Sequence, residues 1–222
     1  VLRQESWLSR PRQTPPVRMV SCQTRVKRPL LDGVLSDECW QQAMEIPLRR
    51  VERQAIGTDY SFAQVAADGE FLYLAARLTK STRVRQGTAA IVRERRHDAA
   101  LKGHDRVSIL MDTDRDYVSW YRVDVDCRGQ VAESCGGDNR WNPRCFVAVD
   151  AGEGGWCVEL AIPWNDLAEK VPAQGQAWAI QVVRTEPGIG WQSWGEDGQA
   201  AGFDPIDLGL LVFGKRRELK GQ

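Results

Sequence analysis

The stretch "SWYRVDVD" (residues 119–126) carries the clearest structural pattern in the chain. Two sets of side chains alternate along it: Tyr121, Val123 and Val125 on one face, and Trp120, Arg122, Asp124 and Asp126 on the other. A period of two is typical of a β-strand that turns one face to a core and the other outward. The stretch therefore predicts an antiparallel strand with a polar outer face.

Similar strands are predicted on both sides of this stretch. They are "SFAQVAAD" (61–68), "FLYLAARLT" (71–79), "DRVSILMD" (105–112), "RCFVAVD" (144–150), "GWCVELAIPW" (155–164), "AWAIQVVR" (177–184) and "DLGLLVFG" (207–214). Only residues 36–43, part of 89–101, and 165–170 are typical of helix. Many short strands separated by turns predict an all-β fold: a two-sheet antiparallel β-sandwich, jelly-roll-like, with a few short helices.

The 222 residues divide into three parts. Residues 1–20 contain "SRPRQTPPVR", a composition typical of an extended arm or linker to something larger. Residues 21–216 form the predicted sandwich, and residues 217–222 form a polar tail. Lys plus Arg and Asp plus Glu each number 30, which argues against a nucleic-acid partner. No apolar run approaches the ~20 residues that span a bilayer, so no membrane insertion is expected.

The six cysteines show no C-x-x-C spacing, and the chain has two histidines, so the usual zinc sites are not expected. An even number of cysteines without metal spacing predicts two or three disulfides and a secreted or periplasmic protein. Cys22–Cys39 and Cys135–Cys145 are two plausible pairs. The alternative is six buried thiols, since unpaired cysteine is readily buried.

The polar face of residues 119–126 is a candidate ligand site. A Trp platform beside the Arg122 guanidinium and the Asp124 carboxylate suits a polyhydroxylated ring, which stacks its C–H groups and bonds its hydroxyls. An exposed sheet face with a cross-strand salt bridge is the alternative. Trp191, in the Gly-rich stretch "GIGWQSWGEDG", is a second candidate platform, and Trp141 is another. We expect Trp156, Trp164, Trp178 and Trp194 to be core residues.

The stretch "MDTDRD" places carboxylates at Asp112, Asp114 and Asp116. Alternate carboxylates in a turn can bind Ca²⁺ through their oxygens. The stretch lacks the Gly and the distal Glu of an EF-hand loop. An ordinary solvated acidic turn is the alternative.

Several motifs, taken in order, resemble family 9 carbohydrate-binding modules. They are "LLDGVLSDECWQQA" (30–43), "DGEFLYLAARLT" (68–79), "DRVSILMDTD" (105–114), "YRVDVDCRG" (121–129), "GGWCVELAIPW" (154–164), and "SWGED" (193–197) with "FDPIDLGLLVF" (203–213). The resemblance covers roughly residues 26–213. It implies a non-catalytic β-sandwich that binds sugar ends, often with structural calcium. Trp40 is expected to plug one end of the sandwich.

The resemblance is incomplete at the family's sugar site. The family's strand Arg is present as Arg122, but Asp124 stands for its Asn and Ser108 for its Glu. Its two stacking tryptophans are replaced by Lys102 and Gly202. The ligand-binding candidates are therefore Trp120, Arg122, Asp124, Trp191, Ser108 and Lys102.

Together these patterns predict a non-catalytic carbohydrate-binding module that belongs to a larger protein and requires no cofactor. Binding is expected to be weak, because the aromatic clamp is missing. Lys102 and the basic segment 82–104, expected to border the site, favour an acidic or sulfated glycan.

Parts of the sequence are compatible with three other functions. One is a sandwich that binds haem b, with Met111, His97 and His104 as candidate axial ligands, although Met111 alternates with core residues. Another is a protein-interaction module whose sugar site has decayed. The third is glycoside hydrolysis by Glu159 and Asp124, although Glu159 matches a structural position of the family.

Overall fold

The computed structural model describes residues 18–50, 60–80, 98–168, 170–194 and 208–214. This part of the chain is almost entirely β-structure. Its strands are β1 (Met19–Cys22), β2 (Ile46–Arg50), β3 (Ser61–Ala67), β4 (Phe71–Thr79), β5 (Arg106–Asp112), β6 (Tyr121–Asp126), β7 (Val131–Cys135), β8 (Phe146–Gly152), β9 (Gly155–Pro163), β10 (Ala177–Glu186), β11 (Gly190–Ser193) and β12 (Gly209–Phe213). The helix α1 (Glu38–Gln42) and a 3₁₀ turn (Trp164–Asp166) are the helical elements of this part.

The strands follow one continuous hydrogen-bonded path that curls around a shared core, and its two halves are here called layers. The first layer runs β7-β6-β5-β10, and the second edge of β10 pairs with both β11 and β12. The second layer runs β2-β3-β4-β9-β8, and β2 also pairs with β11. The all-β prediction is confirmed. Two separate sheets are not observed, because the β11–β2 pairing joins the layers, and β1 pairs with β12 in parallel rather than antiparallel.

The core lies between the layers and includes the apolar faces that the sequence predicts. Val123 and Val125 of β6 point to the same side of the sheet as Met111 of the neighbouring strand β5, and all three belong to one buried cluster. At one side of this cluster Trp164, Trp178 and Phe213 contact one another edge to face, with ring centroids 5.0–6.0 Å apart. Met111 is fully buried, as its alternation predicts.

Trp40 does not plug an end of the sandwich. It packs on the outer side of the second layer, in a cluster separate from the main core. That cluster contains Cys39, Trp40, Ala43, Ala66, Tyr73, Ala75 and Ala161. The prediction was wrong because α1 lies flat on small side chains of β3, β4 and β9, where alanines leave room for an indole.

The turn before α1 depends on Gly33. Its φ is +83°, a left-handed conformation that favours glycine. A Cβ at this position would lie 2.4 Å from the backbone nitrogen of Asp150, which is too close for any side chain. The Asp-Gly signal at the start of the fold therefore marks a close contact with β8 as well as a turn.

The expected disulfides are not present. All six cysteines lie in described residues, and none of them forms a disulfide. Cys22 faces the main core, whereas Cys39 belongs to the cluster on the outer side of the second layer. Strand β3 separates the two clusters, because its neighbouring residues Val65 and Ala66 point into opposite ones.

Candidate functional site

The polar side of β6 continues across neighbouring strands as one surface, here called the outer face. Strand register places its side chains in three rows. The rows are Arg122–Leu110–Gln181, Asp124–Ser108–Val183–Ser193, and Asp126–Arg106–Thr185–Trp191. The outer face thus brings together residues that are more than 80 positions apart in the chain.

Arg122 and Asp124 form a bidentate ion pair within one strand. Arg122 Nε donates to Asp124 Oδ2 at 2.8 Å, and Arg122 Nη2 donates to Asp124 Oδ1 at 3.0 Å. Nη2 also lies 3.4 Å from the hydroxyl oxygen of Ser108. Both charged side chains are largely buried. The pair holds the guanidinium fork in one orientation, as a ligand donor requires.

Gln181 is a buried polar residue of the outer face that the sequence analysis missed. It is 1% exposed, and neither its amide oxygen nor its amide nitrogen has a hydrogen-bond partner. It shares a row with Arg122 across Leu110. Burying an unpaired amide costs about 1–3 kcal/mol, and such groups call for an unseen partner such as a buried water. The available signal was a polar residue between apolar neighbours in the middle of "AWAIQVVR" (177–184).

The two predicted platforms lie at opposite ends of the outer face. Trp191 is part of strand β11, not of a loop, and is 40% exposed. Trp120 is partly exposed and comes directly before β6, near the Asp112 end. Asp112 and Arg106 are six residues apart on β5, about 20 Å at ~3.3 Å per residue. One small ligand therefore cannot contact both tryptophans.

Lys102 is exposed in the loop before β5, at the same end of the outer face as Trp191. His104 lies in the same loop. The segment 82–104 was predicted to border the site. Its residues 82–97, which include His97, lie outside the described part of the chain, and so does Gly202.

The remaining tryptophans of the described residues serve the fold. The Trp141 ring lies 4.7 Å from the Tyr121 ring, and its N–H donates to the backbone oxygen of Asp166 at 3.0 Å, so it is not a free platform. Trp194 packs against the core and leaves no space for a Cβ on Gly209. Trp156, Trp164 and Trp178 are buried, as predicted.

The three aspartates of "MDTDRD" do converge. Each offers a carboxylate oxygen, and these oxygens lie within 4.8 Å of one another. Asp112 is buried and accepts N–H bonds from Arg115 at 2.6 Å and Tyr117 at 2.9 Å. Burial, and to a lesser degree the neighbouring Asp114, raises the pKa of Asp112. A group of close carboxylates of this kind can hold a hard cation.

A cleft of about 400 Å³ lies elsewhere, lined in part by Phe71, Phe146 and Trp164. None of the predicted ligand residues lines it. Among the described residues, no helix has the length and apolarity that crossing a bilayer requires.

Comparisons with known proteins agree with this architecture. The sequence profile of the family described as carbohydrate family 9 binding domain-like matches residues 31–201. No curated protein sequence matches the chain.

Two solved structures are similar to the described fold. One is a family 9 carbohydrate-binding module from Caldicellulosiruptor kristjanssonii in complex with cellotriose; the TM-score is 0.63 at 15% identity, over 92% of this chain and 98% of that chain. The other is a family 9 module from the same organism in complex with glucose; the TM-score is 0.60 at 15% identity, over 89% and 97%. At this identity the likeness shows a common fold.

Proposed function

Because the chain belongs to the carbohydrate family 9 binding domain-like family, we propose that it is a carbohydrate-binding module whose sugar lies on the outer face. The observation that carries the proposal is the Arg122–Asp124 pair, which fixes the guanidinium in one orientation while 23% of the Arg122 side chain stays exposed. A sugar hydroxyl both donates and accepts hydrogen bonds, so one ring can bond a guanidinium and a carboxylate together. The solved relatives hold cellotriose and glucose, which agrees with this ligand class.

The positions of the carboxylates favour sugar binding over glycoside hydrolysis. Glycosidases need two carboxyl groups about 5–9.5 Å apart across one bond. Asp124 lies on the outer face of the first layer, whereas Glu159 lies on the outer side of the second layer. A core about 10 Å thick separates such layers. Glu159 already accepts three N–H donors, so it serves the fold.

The charges of the outer face favour an acidic or sulfated glycan bound weakly. Asp124 balances Arg122, but Arg106 and Lys102 form no ion pair within the described part of the chain. A uronate or sulfate group would supply the missing anion. Trp191 is a single platform, and one stacking surface buries less of a ring than two, which keeps affinity low.

The same proposal covers the protein's context. We place it in a secreted or periplasmic protein, with residues 1–20 as the link to further polypeptide and with no cofactor required for sugar binding. Calcium at Asp112, Asp114 and Asp116 would serve the loop rather than the sugar. Met111 packs among Val107 and Ile109 in the core, which gives the haem alternative no support.

Calorimetric titration tests the function and the site together. The ligands are oligogalacturonides and cello-oligosaccharides, and the variants are Arg122→Ala and Asp124→Ala. We expect each variant to weaken binding about tenfold or more, since removal of one partner from a buried hydrogen bond costs about 1–3 kcal/mol. Arg28→Ala is the matched control, because Arg28 also pairs with carboxylates, those of Asp68 and Glu70, but at the β3–β4 turn of the second layer.

Three results would contradict the proposal in different ways. No binding of the wild-type protein to any glycan on an array would favour the protein-interaction alternative. Unchanged binding by Arg122→Ala and Asp124→Ala would remove the site from the outer face. Tighter binding of cellobiose than of digalacturonate would remove the preference for acidic sugars.

A further inference from the structure

We propose that the molecule has a second sugar site, for one neutral pyranose residue, in the open cleft on the second layer. Its stacking platform is Phe146, and the side chains of Asn165 and Arg144 bond the sugar hydroxyls. The inference rests on the proposed function only in taking the ligand to be a sugar, because the cleft lies on the other side of the molecule from Arg122. One molecule then holds two separate glycans.

The cleft opens on the outer side of the second layer, where β4, β8 and β9 lie next to one another. Phe146 of β8 is paired with Ala161 of β9, and Phe71 of β4 is paired with Pro163 of β9. Ala161 belongs to the cluster that contains α1, so Phe146 points away from the main core. Arg122 points outward from the first layer, and a core about 10 Å thick separates such layers.

Two phenylalanines form an aromatic corner in the cleft. The Phe71 and Phe146 rings lie edge to face, with centroids 5.8 Å apart and ring planes at 79°. Phe71 is only partly exposed, whereas Phe146 is 49% exposed. A large apolar ring that folding leaves half exposed inside a cleft offers a stacking surface to the C–H groups of a sugar.

Polar side chains with free hydrogen-bonding capacity stand beside this corner. Asn165 is exposed, and its side-chain amide has no hydrogen-bond partner among the described residues. Arg144 Nε lies 3.7 Å from Asp166 Oδ2, which is too far for a hydrogen bond, so the guanidinium keeps its donors. An amide donates and accepts and a guanidinium donates, so the two can bond neighbouring hydroxyls of one ring.

The charge and the volume of the cleft favour one uncharged ring. In the described part of the chain, the charged residues of the lining and of its ion pairs are three cations and three anions: Arg28, Arg144, Lys170, Asp68, Glu70 and Asp166. An anionic sugar therefore gains no net attraction. The volume of about 400 Å³ is near the lower end of the ~300–1,000 Å³ typical of small-molecule sites, which suits a single sugar residue or the end of a chain.

The test is a ligand-observed NMR titration of the full chain with the methyl β-glycosides of glucose, galactose and xylose, beside galacturonic acid. For the wild-type protein we expect a dissociation constant on the order of millimolar for a methyl glycoside, because one stacking contact and few hydrogen bonds give little affinity. Phe146→Ala should weaken this binding about tenfold, whereas Phe146→Tyr, which keeps an aromatic ring, should retain it. Asn165→Ala should weaken it about threefold to tenfold, and because Asn165 is exposed, this variant tests the site even if Phe146→Ala is less stable.

Tyr60→Ala is the matched control. Tyr60 is an exposed aromatic residue beside Phe62, and Phe62 is paired with Arg77, six residues along β4 from Phe71. Six residues of a strand span about 20 Å, so Tyr60→Ala should bind the methyl glycosides like the wild-type protein. Arg122→Ala separates the two sites, since it should reduce the binding of oligogalacturonides and leave that of the methyl glycosides unchanged.

The outcomes distinguish the two proposals. If the wild-type protein binds oligogalacturonides but none of the methyl glycosides, the cleft site is wrong and the proposed function stands. Methyl glycoside binding that survives unchanged in both Phe146→Ala and Asn165→Ala would place that sugar outside the cleft. Binding of galacturonic acid that is lost in Phe146→Ala would overturn the preference for a neutral sugar. If no sugar of either kind binds, both proposals fail.

Discussion

Glu159 accepts three hydrogen bonds that tie the start of the fold to the second layer. Trp40 Nε1 donates to Oε1 at 2.7 Å, and the backbone N–H groups of Gly33 and Asp32 donate to Oε2 at 2.8 and 3.0 Å. The carboxyl group is fully buried, and burial raises its pKa despite these donors. One side chain thus joins the turn, the helix α1 and strand β9.

We predict that Glu159→Gln lowers the free energy of unfolding by about 1–3 kcal/mol at pH 7, because the amide turns an N–H group toward one of the three donors. The difference from wild type should be larger at pH 4. A carboxyl group whose pKa is raised in the folded state stabilises the fold below its unfolded pKa, and this contribution is lost as the pH rises through the folded pKa.

Urea unfolding at both pH values measures the effect of Glu159→Gln. Glu153→Gln is a suitable control, since Glu153 is an exposed carboxyl in the β8–β9 turn. A larger difference at pH 7 than at pH 4 would contradict the direction of the pKa shift.

The loop between β5 and β6 is the element most shaped by its own charges. Its carboxylates bond backbone N–H groups of the same loop: Asp112 those of Arg115 and Tyr117, and Asp116 those of Val118 and Ser119. Arg115 and Tyr117 have positive φ values of 60° and 58°, which these bonds support. The loop carries three negative charges in a small volume, and a divalent cation would offset their repulsion.

We predict that millimolar CaCl₂ raises the thermal midpoint of the wild-type protein and that a chelator reverses the rise, because a ligand that binds only the folded state stabilises it. Asp114→Asn should reduce the rise, whereas Asp138→Asn, in another exposed loop, should not. Scanning fluorimetry measures the thermal midpoint, and MgCl₂ is compared with CaCl₂ as a second salt. No rise with CaCl₂ would identify the loop as an acidic turn held by hydrogen bonds alone.

At the scale of the whole molecule, buried ion pairs join the two layers near the end that carries Trp191. Arg184 of β10 donates to both carboxylate oxygens of Asp105, at 3.0 and 2.6 Å. It also donates to the backbone oxygen of Thr79 in β4 and to the hydroxyl of Ser61 in β3. Glu186 lies 3.2 Å away and pairs with Arg50 as well. The positive charges of Arg184 and Arg50 thus offset the negative charges of Asp105 and Glu186, and all four side chains are largely buried.

We predict that Arg184→Met destabilises the protein by about 3–5 kcal/mol, because it leaves two buried carboxylates short of a partner. Arg144→Met should cost less than about 1 kcal/mol, since Arg144 is 72% exposed and its pair is open to solvent. Equilibrium unfolding in urea compares the two variants. A loss below 1 kcal/mol for Arg184→Met would mean that the layers do not depend on this network.

The amino-acid sequence determined the class of fold and much of the strand order. Alternation predicted β4 over residues 71–79 as observed, and it placed β3, β5, β9 and β10 within a few residues. Alternation is a property of the local sequence, so a strand can be recognised without knowing which strands pair with it. The family's ordered motifs likewise identified Arg122 and Ser108 as residues of one face.

Tertiary structure alone decided which short segments became strands and which polar groups remained without partners. The strands β1, β2, β7 and β11 have four or five residues each, too few for a periodic signal, and pairing with longer strands makes them regular. Trp191 joined a strand for this reason. Cys22 and Cys39 stay apart because strand β3 lies between them. Gln181 has no hydrogen-bond partner although Arg122 stands in the same row two strands away. Such facts depend on contacts between distant residues, which no local pattern contains.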